Sequence, residues 1–423
     1  MNHLPLDLRN HNFPINDTPP DTLLHTLNNW HHHPETQPAF LQLLKTNEQL
    51  DLARTRAEQL QRKYNHLVVL GIGGSSLGGN MLVTTLTNPP RRVTFYENIC
   101  PQQLESLYHH DWNQTAVLAI SKSGSTPETL AQLLTLHAHL GHTLPERLTV
   151  ITENPTSALG TMARHWNVPI IPHAPVGGRF SVLSVTGLLP AAFAGVDIQT
   201  LLKGATDMAA RCLLPDPTAN PALIQAMAQA TLTNQGRNMS ILFTYGSRLT
   251  TIATWFRQLW AESLGKTDNQ GRKHGLTPVE AQGVVDQHSQ LQLYLDGPED
   301  KQFTLLFDPT LVQQGAIIPH EFAFLPAASP LAGRSIGELF TAEYLGTRDA
   351  LLNRQQPLRE FRLKATDPGA LGALIVQLEM ETTLVAACFG IPPFDQPAVE
   401  EGKINTRRRL ESTAPGTLME ENA

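Results

Sequence analysis

Cysteine is scarce in this chain. Cys100, Cys212 and Cys388 are its only three in 423 residues, and none stands in a CxxC pair. Their spacing excludes a disulfide scaffold and suits a reducing cytoplasm. A basic excess is also missing. Lys and Arg total 31 against 38 Asp and Glu, a net charge of −7. That argues against a nucleic-acid partner, which favours a basic face. Any anionic ligand must therefore be gripped by local donors rather than by the field of the whole molecule. No uninterrupted apolar run approaches the roughly 18 residues of a membrane span. The first residues, Met1-Asn2-His3-Leu4-Pro5-Leu6-Asp7, lack the basic-then-apolar layout of a signal peptide. The expectation is a soluble protein without a membrane partner.

What the chain does have is a hydrophobic share of 41% over 423 residues, enough for two core-forming units. Residues 1–65 form an N-terminal arm that ends in a helical pattern over Leu50 to Lys63. Short apolar runs then alternate with helical patterns. Leu67 to Gly73, Arg92 to Tyr96, Ala116 to Ile120 and Leu148 to Ile151 read as strands, with a helix from Thr126 to Gly141. Such alternation implies a parallel sheet with helices on both faces. A second series follows: helix Ala219 to Arg237, strand Met239 to Thr244 and helix Leu249 to Ser263. Strands are expected at Gln290–Leu295, Phe303–Phe307 and Leu358–Leu363, with a long apolar helix over Gly369–Phe389. The fold class is α/β: two three-layer units over residues 66–215 and 216–390, a C-terminal segment over 391–410, and a disordered tail over 411–423.

Two loops look built for an anion. Gly71-Ile72-Gly73-Gly74-Ser75-Ser76-Leu77-Gly78-Gly79 follows one strand and precedes a helix. Glycines there let the backbone approach an anion while helix N–H groups face it. A dinucleotide fingerprint would need glycine at Ser76, so its spacing fails. Taken alone, the loop also fits a tight turn without a ligand. Ser121-Lys122-Ser123-Gly124-Ser125-Thr126-Pro127-Glu128-Thr129 follows another strand and concentrates hydroxyl donors beside a helix start. Downstream, Gln258 and Glu262 are four residues apart on one helix and share a face. A carboxylate there can remove a proton from carbon and return it. Arg179, in Val176-Gly177-Gly178-Arg179-Phe180-Ser181, supplies a planar cation suited to a developing oxyanion. His31-His32-His33 reads as a solvated run. His137, His139 and His142 lack the carboxylate and third ligand of a metal site, so no metal and no cofactor is expected.

The serine loop resembles the sugar-isomerase (SIS) phosphosugar fold. The Gly-Gly-Arg-Phe-Ser string, Gln258-x-x-x-Glu262-Ser-x-Gly-Lys266, Asp286-Gln287-His288-Ser289 and Asp395-Gln396-x-x-Val399-Glu400-x-Gly402-Lys403 together resemble the phosphoglucose isomerase family over about Leu67 to Arg409. The resemblance implies reversible interconversion of glucose 6-phosphate and fructose 6-phosphate through a cis-enediol(ate). It implies that Ser121, Ser123 and Thr126 hold the phosphate, helped by Lys122 and by Ser75 of the first loop. Glu262 is then the base, Arg179 stabilises the enediolate, Gln258 shares the pocket, and Gln396 contacts substrate. His288 and Lys403 open the sugar ring, and His288 enters the active site of a neighbouring subunit, which implies a homodimer. Ala398 replaces the family's usual glycine, and Glu401 an apolar residue. Lys403 also reads as the basic end of a helix that runs into Arg407-Arg408-Arg409.

Overall fold

A computed structural model describes the chain except for residues 1–5, 16–17, 87–91, 365–366 and 415–423. β1 (Asp7–His11) lies near the N-terminus, far in sequence from its partner strand. β2 (His66–Leu70), β3 (Arg92–Tyr96), β4 (Thr115–Ile120), β5 (Leu148–Thr152) and β6 (Ile170–Pro172) form a first sheet in the order β3-β2-β4-β5-β6. Its neighbours are all parallel. β2 and β4 are buried at every position, as central parallel strands covered on both faces must be. From β2 the chain moves outward to β3, then returns to the other side for β4. The order therefore reverses between β2 and β4, and crevices at such a reversal are where open α/β sheets bind ligands. Both anion loops begin there.

β7 (Met239–Tyr245) begins the second sheet, and helix Thr250–Leu264, which carries Gln258 and Glu262, follows it. β8 (Lys266–Thr267) and β9 (Lys273–His274) make a small antiparallel hairpin. β10 (Thr277–Gly283), β11 (Lys301–Phe307) and β12 (Leu358–Arg362) complete the second sheet in the order β1-β12-β11-β7-β10. Its strands are parallel except β1, which adds antiparallel to the edge at β12. The N-terminal arm is thus tied into the second sheet.

Two expectations need correction. Gln290–Leu295 is not a strand: Leu291–Asp296 is a helix, in which only Tyr294 is buried. Asp286 causes the change of course. Its carboxylate accepts from the Gln282 N–H at 2.7 Å and the Ser289 hydroxyl at 2.5 Å, folding the chain back after β10. The strand beside β7 is instead β10, whose Pro278 is tolerated because β10 lies at the sheet edge. The disordered tail does not begin at Glu411. Glu411 and Ser412 belong to the C-terminal helix Val399–Ser412, and residues 415–423 lie outside the described part.

Helix Pro368–Phe389 is long and apolar enough to cross a membrane, but 89% of its apolar window is buried, and it packs as the central core helix. The buried pair Arg359–Glu381, at 2.8 Å, ties it to β12. Gln225 accepts from Arg359 and Gln229 donates to Glu381, which supplies part of the hydrogen bonding a buried ion pair needs.

Candidate active site

At the carboxyl end of the first sheet, three loops converge. A side chain at Gly74 would place its Cβ 2.2 Å from the Gly178 carbonyl carbon, so the first glycine loop and the Gly177–Arg179 turn pack backbone against backbone. Ser181 fastens the contact by donating its hydroxyl to the Gly74 carbonyl at 3.2 Å. A Cβ at Gly71 would likewise lie 3.3 Å from the Ile120 carbonyl oxygen, which sets the glycine loop beside the start of the serine loop. Within the serine loop, Gly124 adopts φ +66°, and a side chain there would strike Ser157. The Ser121 hydroxyl accepts from the Gly124 N–H at 3.1 Å and lies 2.8 Å from the Thr126 hydroxyl. Ser123 accepts from the Ser125 N–H, which leaves its own proton to donate. Helix Pro127–Leu140 starts at this point without a side-chain cap, so its first N–H groups are open to an anion. Lys122 lies 3.6 Å from Glu153. Ser75 is half-buried at the end of the first glycine turn.

The Gly177–Arg179 turn delivers Arg179 to helix Thr250–Leu264. Every N–H of its guanidinium is engaged. Nε donates to Ser263 Oγ at 2.8 Å, and Nη1 donates to Glu262 Oε2 and Gln396 Oε1, both at 2.9 Å. Nη2 donates to the Pro393 and Asp395 carbonyls at 2.6 and 3.0 Å. Burial lowers the Arg179 pKa and the neighbouring Glu262 raises it, yet a guanidinium stays charged in any protein. The Arg179 side chain is 1% exposed against 29% for Glu262, so the carboxylate is reachable while its cation is walled in. Gln258 completes the face. Its Nε2 donates to Glu262 Oε1 at 3.1 Å, and its Oε1 is buried without a partner among the described residues. A Cβ at Gly73 would lie 3.0 Å from Gln258 Nε2, which connects the first glycine loop to helix Thr250–Leu264.

Glu262 opens on a cavity of about 620 Å³ shared with Lys266, His274, Gln396 and Val399. The hairpin β8–β9 forms one wall, and Asp268 fixes its shape. Hydrogen bonds from His274 first, then Arg272, hold the Asp268 carboxyl well below the usual carboxylate range. Sequence reasoning assigned no role to Lys266 or Ser263. The available signal was spacing: Gln258, Glu262 and Lys266 fall four residues apart in succession.

The structure therefore brings Arg179, Gln258, Glu262 and Gln396 together, with Ser75 and the serine loop on the adjoining sheet edge. It does not bring His288 or Lys403 to them. His288 is exposed in the turn after β10, and its ring makes no hydrogen bond among the described residues. Lys403 is exposed on the C-terminal helix and pairs with Glu400 at 2.7 Å. Ala398 stands at the start of that helix, and Glu401 is exposed on it. His137 stacks near Trp166 and His139 near Tyr108. Among the described residues no group of three His, Cys, Asp or Glu is placed to hold a metal ion.

Comparison with known proteins shows the family. The model of the family Phosphoglucose isomerase matches residues 45–322. A glucose-6-phosphate isomerase of Rubrobacter xylanophilus is 36% identical over 397 residues, covering 89% of this chain and 90% of that protein. The crystal structure of a hypothetical protein from Thermus thermophilus superposes with TM-score 0.82 at 35% identity, covering 92% of this chain and 94% of that one. A glucose-6-phosphate isomerase from Chlamydia trachomatis shares the fold, with TM-score 0.73 at 24% identity over 87% of this chain and 74% of that one. With the convergent loops, the Arg179–Glu262 pair and the family match spanning most of its length, this chain belongs to the phosphoglucose isomerase family.

Proposed function

We propose that this protein is a glucose-6-phosphate isomerase that moves a proton between C2 and C1 of the sugar phosphate by way of Glu262. The observation that carries the proposal is the reachable Glu262 carboxylate, fixed between Gln258 and the buried Arg179. One carboxylate so placed removes the C2 proton and returns it to C1. Arg179 has no N–H left to donate to substrate, so it stabilises the enediolate by its charge and by aiming Glu262. Positive charge in a water-poor site is worth far more than in bulk solvent. Ser121, Ser123 and Thr126 take the phosphate at the sheet edge, with Lys122, Ser75 and the open helix N–H groups. Gln258 and Gln396 orient the sugar hydroxyls. Holding both ends of the substrate in one pose supplies much of the lowering of the barrier.

His288 and Lys403 carry ring opening in this scheme, each from outside the single-chain site. Val285 and Leu293, 60% and 53% exposed, flank His288 and give that turn an apolar surface suited to a second copy of the chain. A homodimer would cover this surface and deliver His288 to the partner's cavity. Lys403 reaches the site by a swing of the C-terminal helix. Three free cysteines fit a cytoplasmic setting. The test is conversion of fructose 6-phosphate to glucose 6-phosphate by purified protein in excess EDTA. Turnover supports the proposal. Turnover only after a divalent ion is added, or none at all, overturns it.

A further inference from the structure

We propose that Lys266 is a positioning residue that pins residues 393–396, a C-terminal strap, against the Glu262 carboxylate, an inference that rests on the isomerase reading above. Lysine is normally a solvated side chain, yet that of Lys266 is 7% exposed, while its partner Asp395 is 60% exposed. The ammonium group donates to the Asp395 carboxylate at 2.5 Å and also to the Asp395 backbone carbonyl. The buried member belongs to the framework and the exposed member to the strap, so the lysine holds the strap and not the reverse.

Arg179 grips the same strap from the other side, at the Pro393 and Asp395 carbonyls and the Gln396 side chain. Two cations thus converge on the carbonyl of Asp395. Phe394 adds a ring contact to Phe180, next to Arg179, at 5.3 Å. Lys266 follows Glu262 by four residues, just past the end of the same helix, and shares the cavity with Glu262 and Gln396. The C-terminal helix that carries Lys403 starts at Val399, three residues beyond Gln396. Where the strap sits decides where Gln396 points and how far Lys403 can travel. An exposed ion pair would contribute almost nothing. A buried ammonium with a carbonyl and a carboxylate as acceptors is a fixed point.

The test compares Lys266→Met, Lys266→Arg and Asp395→Asn by kcat and KM for fructose 6-phosphate. It also follows the rate of tryptic cleavage at Arg407, Arg408 and Arg409 in the native protein. Lys266→Met is expected to lower kcat at least tenfold, change KM much less, and speed cleavage at least fivefold. Lys266→Arg restores most of both. Asp395→Asn has the smaller effect, because the backbone acceptor remains. Wild-type kcat and cleavage in Lys266→Met would overturn the proposal, as would a loss that Lys266→Arg fails to rescue. Cleavage does not depend on turnover. An inactive wild type with faster cleavage in Lys266→Met would sink the isomerase reading and leave the pin standing.

Discussion

Replacing Arg179 with lysine keeps the charge and removes the fork, so it asks what the guanidinium geometry is worth. The native side chain makes five hydrogen bonds, to Ser263, Glu262, Gln396, Pro393 and Asp395. A lysine has three donors on one atom and cannot span that set, so at least two acceptors lose their partner. Each buried acceptor left unmet costs about 1–3 kcal/mol, which puts the expected loss of stability for two of them at roughly 2–6 kcal/mol. The chemical step suffers separately. Glu262 loses its aimed partner, and removal of one well-placed donor from a charge-stabilising site costs about 10²–10³ in kcat. The assay is fructose 6-phosphate turnover coupled to glucose-6-phosphate oxidation, with urea unfolding alongside. We expect kcat to fall by two to three orders of magnitude (about 10²–10³), with a clear shift of the unfolding midpoint. A variant within about threefold of wild-type kcat and with unchanged stability would refute the role given to the guanidinium.

Two further substitutions probe the framework. Gly74→Ala puts a methyl 2.2 Å from the Gly178 carbonyl carbon, where only backbone could yield. It should cost about 2–3 kcal/mol and displace Arg179 enough to lower kcat at least about tenfold. Gly402→Ala, inside an exposed helix with nothing within 4 Å, serves as the control and should be neutral or stabilising by up to about 1 kcal/mol; equal unfolding midpoints for the two would contradict the packing argument. Glu379 is fully buried in the core helix with neither carboxyl oxygen hydrogen-bonded among the described residues, and burial raises its pKa well above the usual value. It is therefore protonated in the fold, and the unfolded chain gains stability as pH rises through the ordinary glutamate range. Glu379→Met should raise stability by about 1–3 kcal/mol, more at pH 8 than at pH 5. A destabilised variant, or a gain that is larger at pH 5, would show that the carboxyl has a partner after all.

Much of the site was legible because its parts are local strings with strong chemistry. The glycine turn at Gly71–Gly79, the serine loop, the Gly-Gly-Arg string and the Gln258/Glu262 face each mark a strand end or a helix face, and each lies where the sequence places it. Less legible were elements whose residues answer to distant partners. β1 is polar because it is a sheet edge, and only its pairing with β12 makes it a strand. β10 contains Pro278 and only small apolar residues at Val279, Ala281 and Gly283, which weakens its strand signal, and Leu291, Leu293 and Leu295 imitate a strand inside a helix. Helix Ile336–Asn353 did leave a local sign in the reciprocal cap of Ser335 and Glu338. The Lys266–Asp395 contact joins residues 129 positions apart. No local pattern announces such a contact.

The most direct test of the central claim is the behaviour of Glu262→Gln with fructose 6-phosphate in deuterated water, followed by NMR. Glutamine keeps the size of the side chain and an oxygen that can accept from Arg179, but it cannot take a proton from C1 or C2. The expected result is substrate binding close to wild type, with turnover and deuterium incorporation at C1 or C2 both reduced by at least about 10³. A variant that retains a tenth of the wild-type rate, or still exchanges the carbon-bound proton, would contradict the assignment of Glu262 as the base.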